Sequence, residues 1–152
     1  MTTDIASPLY YEDLAVGDEW DVGTVTITED ELLEFAERYD PQAFHVDEAA
    51  AERHFDGLIA SGWHTAAACM RPFVETVLAD VAVVAAAGVD DLRWHEPVRP
   101  DDALAVEISV VEKAPWSDDR GQVSFRLRAT NDAGDPVHTR TDLVIVERRG
   151  TA

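Results

Sequence analysis

From Gly62 to about Ala79 the chain is apolar at almost every turn: Trp63, Ala66, Ala67, Met70, Phe73, Val74, Val77 and Leu78 recur with a spacing near 3.6. A helix that is apolar on most sides has to be wrapped by its neighbours, not covered along one stripe. Pro72, inside this run, is expected to bend it. Beyond it the period falls to two. Val81–Val89 and Leu92–His95 read as one strand bent near Gly88, and Leu104, Val106, Ile108 and Val110 alternate with Ala105, Glu107, Ser109 and Val111. Val123–Thr130 is a third alternating run, and Asn131-Asp132-Ala133-Gly134 turns it into a return strand from Val137 to Val146. A long apolar helix followed by a meander of antiparallel strands predicts an α+β domain whose sheet curves around the helix.

The first half supplies the remaining elements. An irregular entry through Pro8, Tyr10, Tyr11 and Gly17 leads to a strand over Trp20–Thr26. Thr28 and Glu31 have capping-box spacing, Leu32, Phe35, Ala36 and Tyr39 form the apolar face of the helix they open, and Pro41 ends it. Asp47 caps a shorter helix through Glu48–His54, and Phe55-Asp56-Gly57 is a turn. With 152 residues, 46% of them apolar, the chain has enough material for one core without disulfides. It reads as a single domain over 1–152, with loose ends at 1–7 and 148–152.

Charge narrows the partners. The formal net charge of −19 opposes binding to nucleic acid or to anionic membranes, so neither is expected. Lys113 is the one lysine beside eleven arginines, and the acids crowd turns and helix faces. That pattern predicts a salt-adapted surface, the plainer reading being an acidic protein from a GC-rich genome. A lone Cys69, an amino terminus without a basic or hydrophobic run, and apolar stretches broken by Asp80, Gly88 and Asp90 predict a cytoplasmic, soluble protein without signal peptide or membrane span.

The chemistry-bearing residues gather between Tyr39 and Thr65. Asp40 falls at the carboxyl end of a helix, where the macrodipole disfavours a negative charge and should make it a stronger base than a free aspartate. The plain alternative is a turn-starting Asp-Pro. His45, five residues on and expected on a loop, is a proton carrier near neutral pH or else a structural loop histidine. Gly62, with Ser61 as the helix cap, offers unpaired backbone N–H groups to a carbonyl oxygen gaining charge; close packing of helix on sheet would equally ask for a glycine. Cys69 reads as core, His64 as packing or pocket wall, and the five histidines show no metal spacing. Trp63 and Trp94 read as core packing or as lining of an acyl pocket.

Asp40-Pro-Gln-Ala-Phe-His45-Val-Asp47, Phe55-Asp-Gly-Leu-Ile-Ala-Ser-Gly62 and Leu92-Arg-Trp94 with Pro97-Val-Arg-Pro100-Asp-Asp102 resemble the MaoC-like dehydratases, which include (R)-specific enoyl-CoA hydratases. The resemblance runs through nearly the whole chain in order. It implies a hot-dog fold, a homodimer or higher homo-oligomer, and a hydro-lyase in which Asp40 and His45 are the catalytic pair. Two positions depart from the family's pattern. Proline directly follows the Asp and Gln42 stands where asparagine is usual, and Asp101-Asp102 replaces the usual Gly-Asp at a turn.

Together these residues are expected to form a hydration site. The thioester carbonyl of a 2-enoyl-CoA sits on the Gly62 amide, Asp40 and His45 activate a water that adds at the β-carbon, and His45 most simply delivers the proton to the α-carbon. No metal and no cofactor beyond the substrate's own CoA is expected. Ser61, Trp63, Trp94, Arg93 and Arg99 are the expected substrate contacts, with Arg126 and Arg128 as further groups for the CoA phosphates. A thioesterase and a non-catalytic acyl-CoA-binding subunit are the other readings.

Overall fold

A computed structural model of the chain describes residues 7–150. Strand β1 (Glu19–Val25) is followed by helices α1 (Glu29–Tyr39), α2 (Ala43–Val46), α3 (Glu48–Phe55) and α4 (Gly62–Thr76), then by strands β2 (Val83–Trp94), β3 (Leu104–Pro115), β4 (Arg120–Thr130) and β5 (Pro136–Glu147). All strand pairs are antiparallel, in the order β1-β3-β4-β5-β2, so β1 and β2 are the two edges.

The expected alternation on β3 and β4 decides what the sheet turns toward α4. Leu104, Val106, Ile108 and Val110 on β3, with Val123, Phe125, Leu127 and Ala129 on β4, are buried against Cys69, Phe73 and Val77 of the helix. Phe73 meets Phe125 edge to face at 5.4 Å, and burying each such ring contributes about 1.5–3 kcal/mol. Glu107, Arg126 and Arg128 point outward and are exposed.

Thr28 caps α1 as expected: its hydroxyl accepts from the Glu31 N–H at 3.2 Å and donates to the Glu31 carboxylate at 2.9 Å. α4 runs through Pro72 but ends at Thr76, three residues short of expectation, and a tight turn over Leu78–Asp80 completes the segment. β2 is one strand, with register shifts at Val83/Ala85, Ala86/Gly88 and Asp90/Arg93, so the irregularity expected at Gly88 is one of three. Asp101 sits in the left-handed region at φ 65°, which explains why a glycine serves at this turn and why an aspartate, more tolerant of that region than most residues, can replace it.

Of the loose ends expected at 1–7 and 148–152, residues 1–6 and 151–152 lie outside the described residues. Next to them, the Arg149 N–H donates to Glu12 at 3.0 Å, its guanidinium to Asp13 at 2.6 Å, and the Arg148 N–H to the Asp119 carbonyl at 2.9 Å.

Candidate active site

Asp40 caps the end of α1, its backbone N–H donating to the Ala36 carbonyl at 2.8 Å. Its carboxylate is enclosed by three partners. The Ser61 hydroxyl donates to Oδ2 at 2.7 Å, the Gln42 side-chain amide donates to Oδ1 at 2.7 Å, and His45 Nε2 lies 3.4 Å from Oδ2. The Ser61 bond, with smaller help from Gln42 and His45, holds the carboxyl below the usual carboxylate range against the opposing effect of burial. This corrects the expectation of a strengthened base. The helix end does place an anion against the dipole, but two hydrogen-bond donors aimed at the carboxylate outweigh it.

Ser61 is corrected with it. The residue precedes α4 and is fully buried, yet its side chain makes no capping bond because the hydroxyl is spent on Asp40. The first turn instead closes on the Ser61 carbonyl, which accepts from His64 and Thr65, and the N–H groups of Gly62 and Trp63 have no acceptor among the described residues. A pair of free donors at the positive end of a fifteen-residue helix is an oxyanion-binding arrangement.

His45 lies on a short helix, α2, not on the loop expected for it. Its Nδ1–H donates to the Ile59 carbonyl at 2.8 Å, which orients the ring and leaves Nε2 facing Asp40. Phe44 packs edge-on against the ring at 4.5 Å. The imidazole is 5% exposed and forms one wall of a cavity of about 250 Å³ that also meets Phe55, Ile59, Gly62, Thr65, Trp94 and His95.

The two tryptophans are not core. Trp63 and Trp94 meet edge to face at 5.1 Å, 59% and 45% exposed, and of the two only Trp94 lines the cavity. Trp94 donates its indole N–H to the Gly62 carbonyl at 2.8 Å, and a Cβ added at Gly62 would collide with the indole ring. The glycine is therefore required by packing.

The arginines separate. Arg99 lines a 380 Å³ depression with Asp102, Asn131 and Asp132 that shares Glu96 and Pro97 with the cavity. Arg93 is exposed and bonds the Leu92 carbonyl, and Arg126 and Arg128 lie on the outer face of the sheet beside Glu19, Asp21 and Glu107. Cys69 is fully buried, with its thiol pushed up to about 11 by burial, which suits packing and not nucleophilic chemistry. His64 stacks on Phe35 at 4.5 Å, its Nδ1 buried without a partner. Among the described residues no three His, Cys, Asp or Glu side chains converge as a metal set, and no helix is long and apolar enough to cross a membrane.

Sequence reasoning overlooked the carbonyl of Ile59, the tertiary role of Ser61 and the reach of Gln42. Gln42 alone had a readable signal, because an Asp-Pro-x turn brings the third residue back over the first.

Several solved structures share this fold. A MaoC-like dehydratase from Rhodospirillum rubrum superposes with a TM-score of 0.84 at 40% identity, over 94% of this chain and 99% of that one. The (R)-hydratase PhaJ1 from Pseudomonas aeruginosa gives 0.73 at 28% identity, covering 94% and 88%. A Mycobacterium tuberculosis protein with a double hot-dog fold gives 0.76 at 17% identity over 96% of this chain and 46% of its own, a likeness of fold. The sheet and its enclosed helix are thus a hot-dog domain, and since the model of the MaoC-like domain matches residues 14–133, the chain belongs to the MaoC-like family.

Proposed function

We propose that the protein is a hydro-lyase that reversibly adds water to a 2-enoyl-CoA thioester. One observation carries this reading. His45, oriented by its Nδ1–H bond to Ile59, presents Nε2 to the Asp40 carboxylate at 3.4 Å, on the wall of a cavity that also receives the start of α4. The likeness to an (R)-hydratase supports it.

The thioester oxygen is held by the N–H groups of Gly62 and Trp63, where negative charge develops as the β-carbon is attacked. His45 Nε2 takes a proton from water as the water oxygen bonds to the β-carbon. The imidazolium so formed faces a carboxylate that is already ionised, and then gives its proton to the α-carbon. Water's hydroxyl and one proton are accounted for, and no group is left changed. In this assignment Asp40, whose ionised form the Ser61 and Gln42 donors favour, is the anionic partner and His45 the proton carrier. Arg99, beside the cavity, is the arginine best placed for a CoA phosphate, and the CoA of the substrate is the only cofactor the reaction uses.

The proposed assembly is a homodimer joined through β2. This edge strand of twelve residues is unpaired on one side and exposes Val83, Val84 and Val89, a combination that invites a second strand. Loss of the conjugated-thioester absorbance of crotonyl-CoA tests the activity: the native protein should hydrate it, and no hydration of this or longer enoyl-CoAs overturns the reading. Release of free CoA thiol would identify a thioesterase instead.

A further inference from the structure

We propose that Gln42 is a positioning residue, one that ties Asp40 to His45 and holds the Asp40 carboxylate aimed at the imidazole. The role for hydration rests on the function proposed above; the effect on Asp40 does not.

Gln42 makes three bonds within the five-residue spacing of the pair. Its N–H donates to the Asp40 carbonyl at 2.9 Å across Pro41, and its carbonyl accepts from the His45 N–H at 2.9 Å. Its side-chain amide then donates to Asp40 Oδ1 at 2.7 Å. The same residue opens α2, where its side chain makes no capping bond, so the carboxamide is committed to Asp40 and not to its own helix.

The consequence for the carboxylate is geometric. Ser61 holds Oδ2 from the entrance to α4, and Gln42 holds Oδ1 from the α1–α2 connection. A planar group gripped on each oxygen from a different side cannot turn about its own axis. Oδ2 therefore stays toward His45 Nε2, where the imidazolium needs it. The titratable group acting on Asp40 is His45, from α2; Ser61 and Gln42 are neutral donors that favour the ionised form. Length matters as well, since an asparagine on the same backbone would carry its amide one carbon short of Oδ1. The glutamine at this position is then a working part of the site and not a degraded one.

The test is the titration of the Asp40 carboxyl carbon, followed by ¹³C NMR in the native protein and in Gln42→Met, Gln42→Ala and Gln42→Glu, with amide spectra confirming the fold. Gln42→Met keeps the length and removes the donor, and the exposed position tolerates it. The midpoint should move up toward the ordinary carboxylate range in Gln42→Met and Gln42→Ala, and further in Gln42→Glu, where a like charge faces the carboxylate. The acid limb of kcat/KM for crotonyl-CoA should move the same way, with kcat down about tenfold, the equivalent of one hydrogen bond to a charged group. An Asp40 titration curve in Gln42→Met superimposable on the native one overturns the proposal. Absence of hydration by the native protein overturns the hydratase reading alone, and the titration still decides Gln42.

Discussion

Two histidine–aspartate clusters touch the same central helix, and they are built to opposite ends. At the start of α4, His45 spends one ring nitrogen on the Ile59 carbonyl and leaves the other facing Asp40 across 3.4 Å at the wall of a cavity. Beneath the middle of α4, His138 of β5 has both nitrogens committed. Nδ1 donates to the Arg93 carbonyl at 3.1 Å, and Nε2 accepts from Arg140 at 3.0 Å. Arg140 in turn bonds Asp142 at 3.0 Å, the Ala66 carbonyl of α4 at 2.8 Å and the Met70 sulfur at 3.1 Å. The residue types are nearly the same. What separates them is a ring nitrogen without a hydrogen bond beside a cavity, and the second cluster has neither.

The sharpest way to separate the two is to remove a partner from each. Asp40→Asn and His45→Ala should each lower enoyl-CoA hydration by about 10²–10⁴-fold, the contribution of positioned acid–base groups, with a smaller cost in the unfolding midpoint than Arg140→Ala. Arg140→Ala should do the reverse. It leaves Asp142, 6% exposed, as an unpaired buried charge and should cost about 3–5 kcal/mol in urea unfolding, whereas Arg140→Met with Asp142→Leu, which removes both charges, should recover most of it. If Arg140→Ala unfolds like the native protein while Asp40→Asn does not, the division between the clusters is wrong.

Acid sharpens the contrast further. Burial, and after it the Arg140 charge, push His138 down to about 4 from an ordinary 6.5. Between those values the unfolded chain binds a proton that the folded one refuses, so stability falls as the pH drops from about 6.5 toward 4, by about 3 kcal/mol for this residue. His64, lowered by burial, adds in the same direction. The comparison is therefore with His138→Gln, which can donate and accept as the neutral ring does but cannot charge; its urea midpoint should be flatter over this window. Asp40 acts lower down. Its depressed carboxyl stabilises the fold above the ordinary carboxylate range and loses that contribution as the pH falls through the folded value.

The second cluster was the part of the chain least legible beforehand. The turn at Asn131–Gly134 located β5 as the return strand Val137–Val146, but nothing showed which parity faces the helix. His138, Arg140 and Asp142 share a face with Val144 and Val146, and the other face carries Thr139, Thr141 and Ile145. Neither set is plainly apolar, so pattern alone could not place an ion pair under α4. α2 escaped for a related reason: four residues are too few to show a helical period, although His45 within them and Asp40 before them were already visible. The β3–β4 hairpin was legible because its apolar positions agree with their propensities, whereas the long helix was legible only as a helix: one stripe, Thr65, Cys69 and Phe73, is buried, and Trp63, Ala67 and Val74, expected to be covered, are exposed. Ser61 shows a subtler limit. A serine before a glycine-led helix is a good cap by local rules, and only tertiary structure brings Asp40, twenty-one residues away, close enough to take its hydroxyl.

The smallest effect bears on what Gly62 is for. If the glycine served only to free the backbone N–H, Gly62→Ala would spare stability, since alanine favours helices more than glycine does. The indole of Trp94 stands where the new methyl would go, with its own N–H on the Gly62 carbonyl. Gly62→Ala should therefore cost about 1–3 kcal/mol through overpacking, and lower hydration as the displaced Trp94 disturbs the cavity wall. Gly62→Ala with Trp94→Ala should regain stability by opening room for the methyl, while the N–H groups of Gly62 and Trp63 stay in place. A double variant that is stable and still hydrates crotonyl-CoA would show that the first turn of α4 acts through its backbone. One that is stable and inactive would make Trp94 part of the substrate's own binding surface.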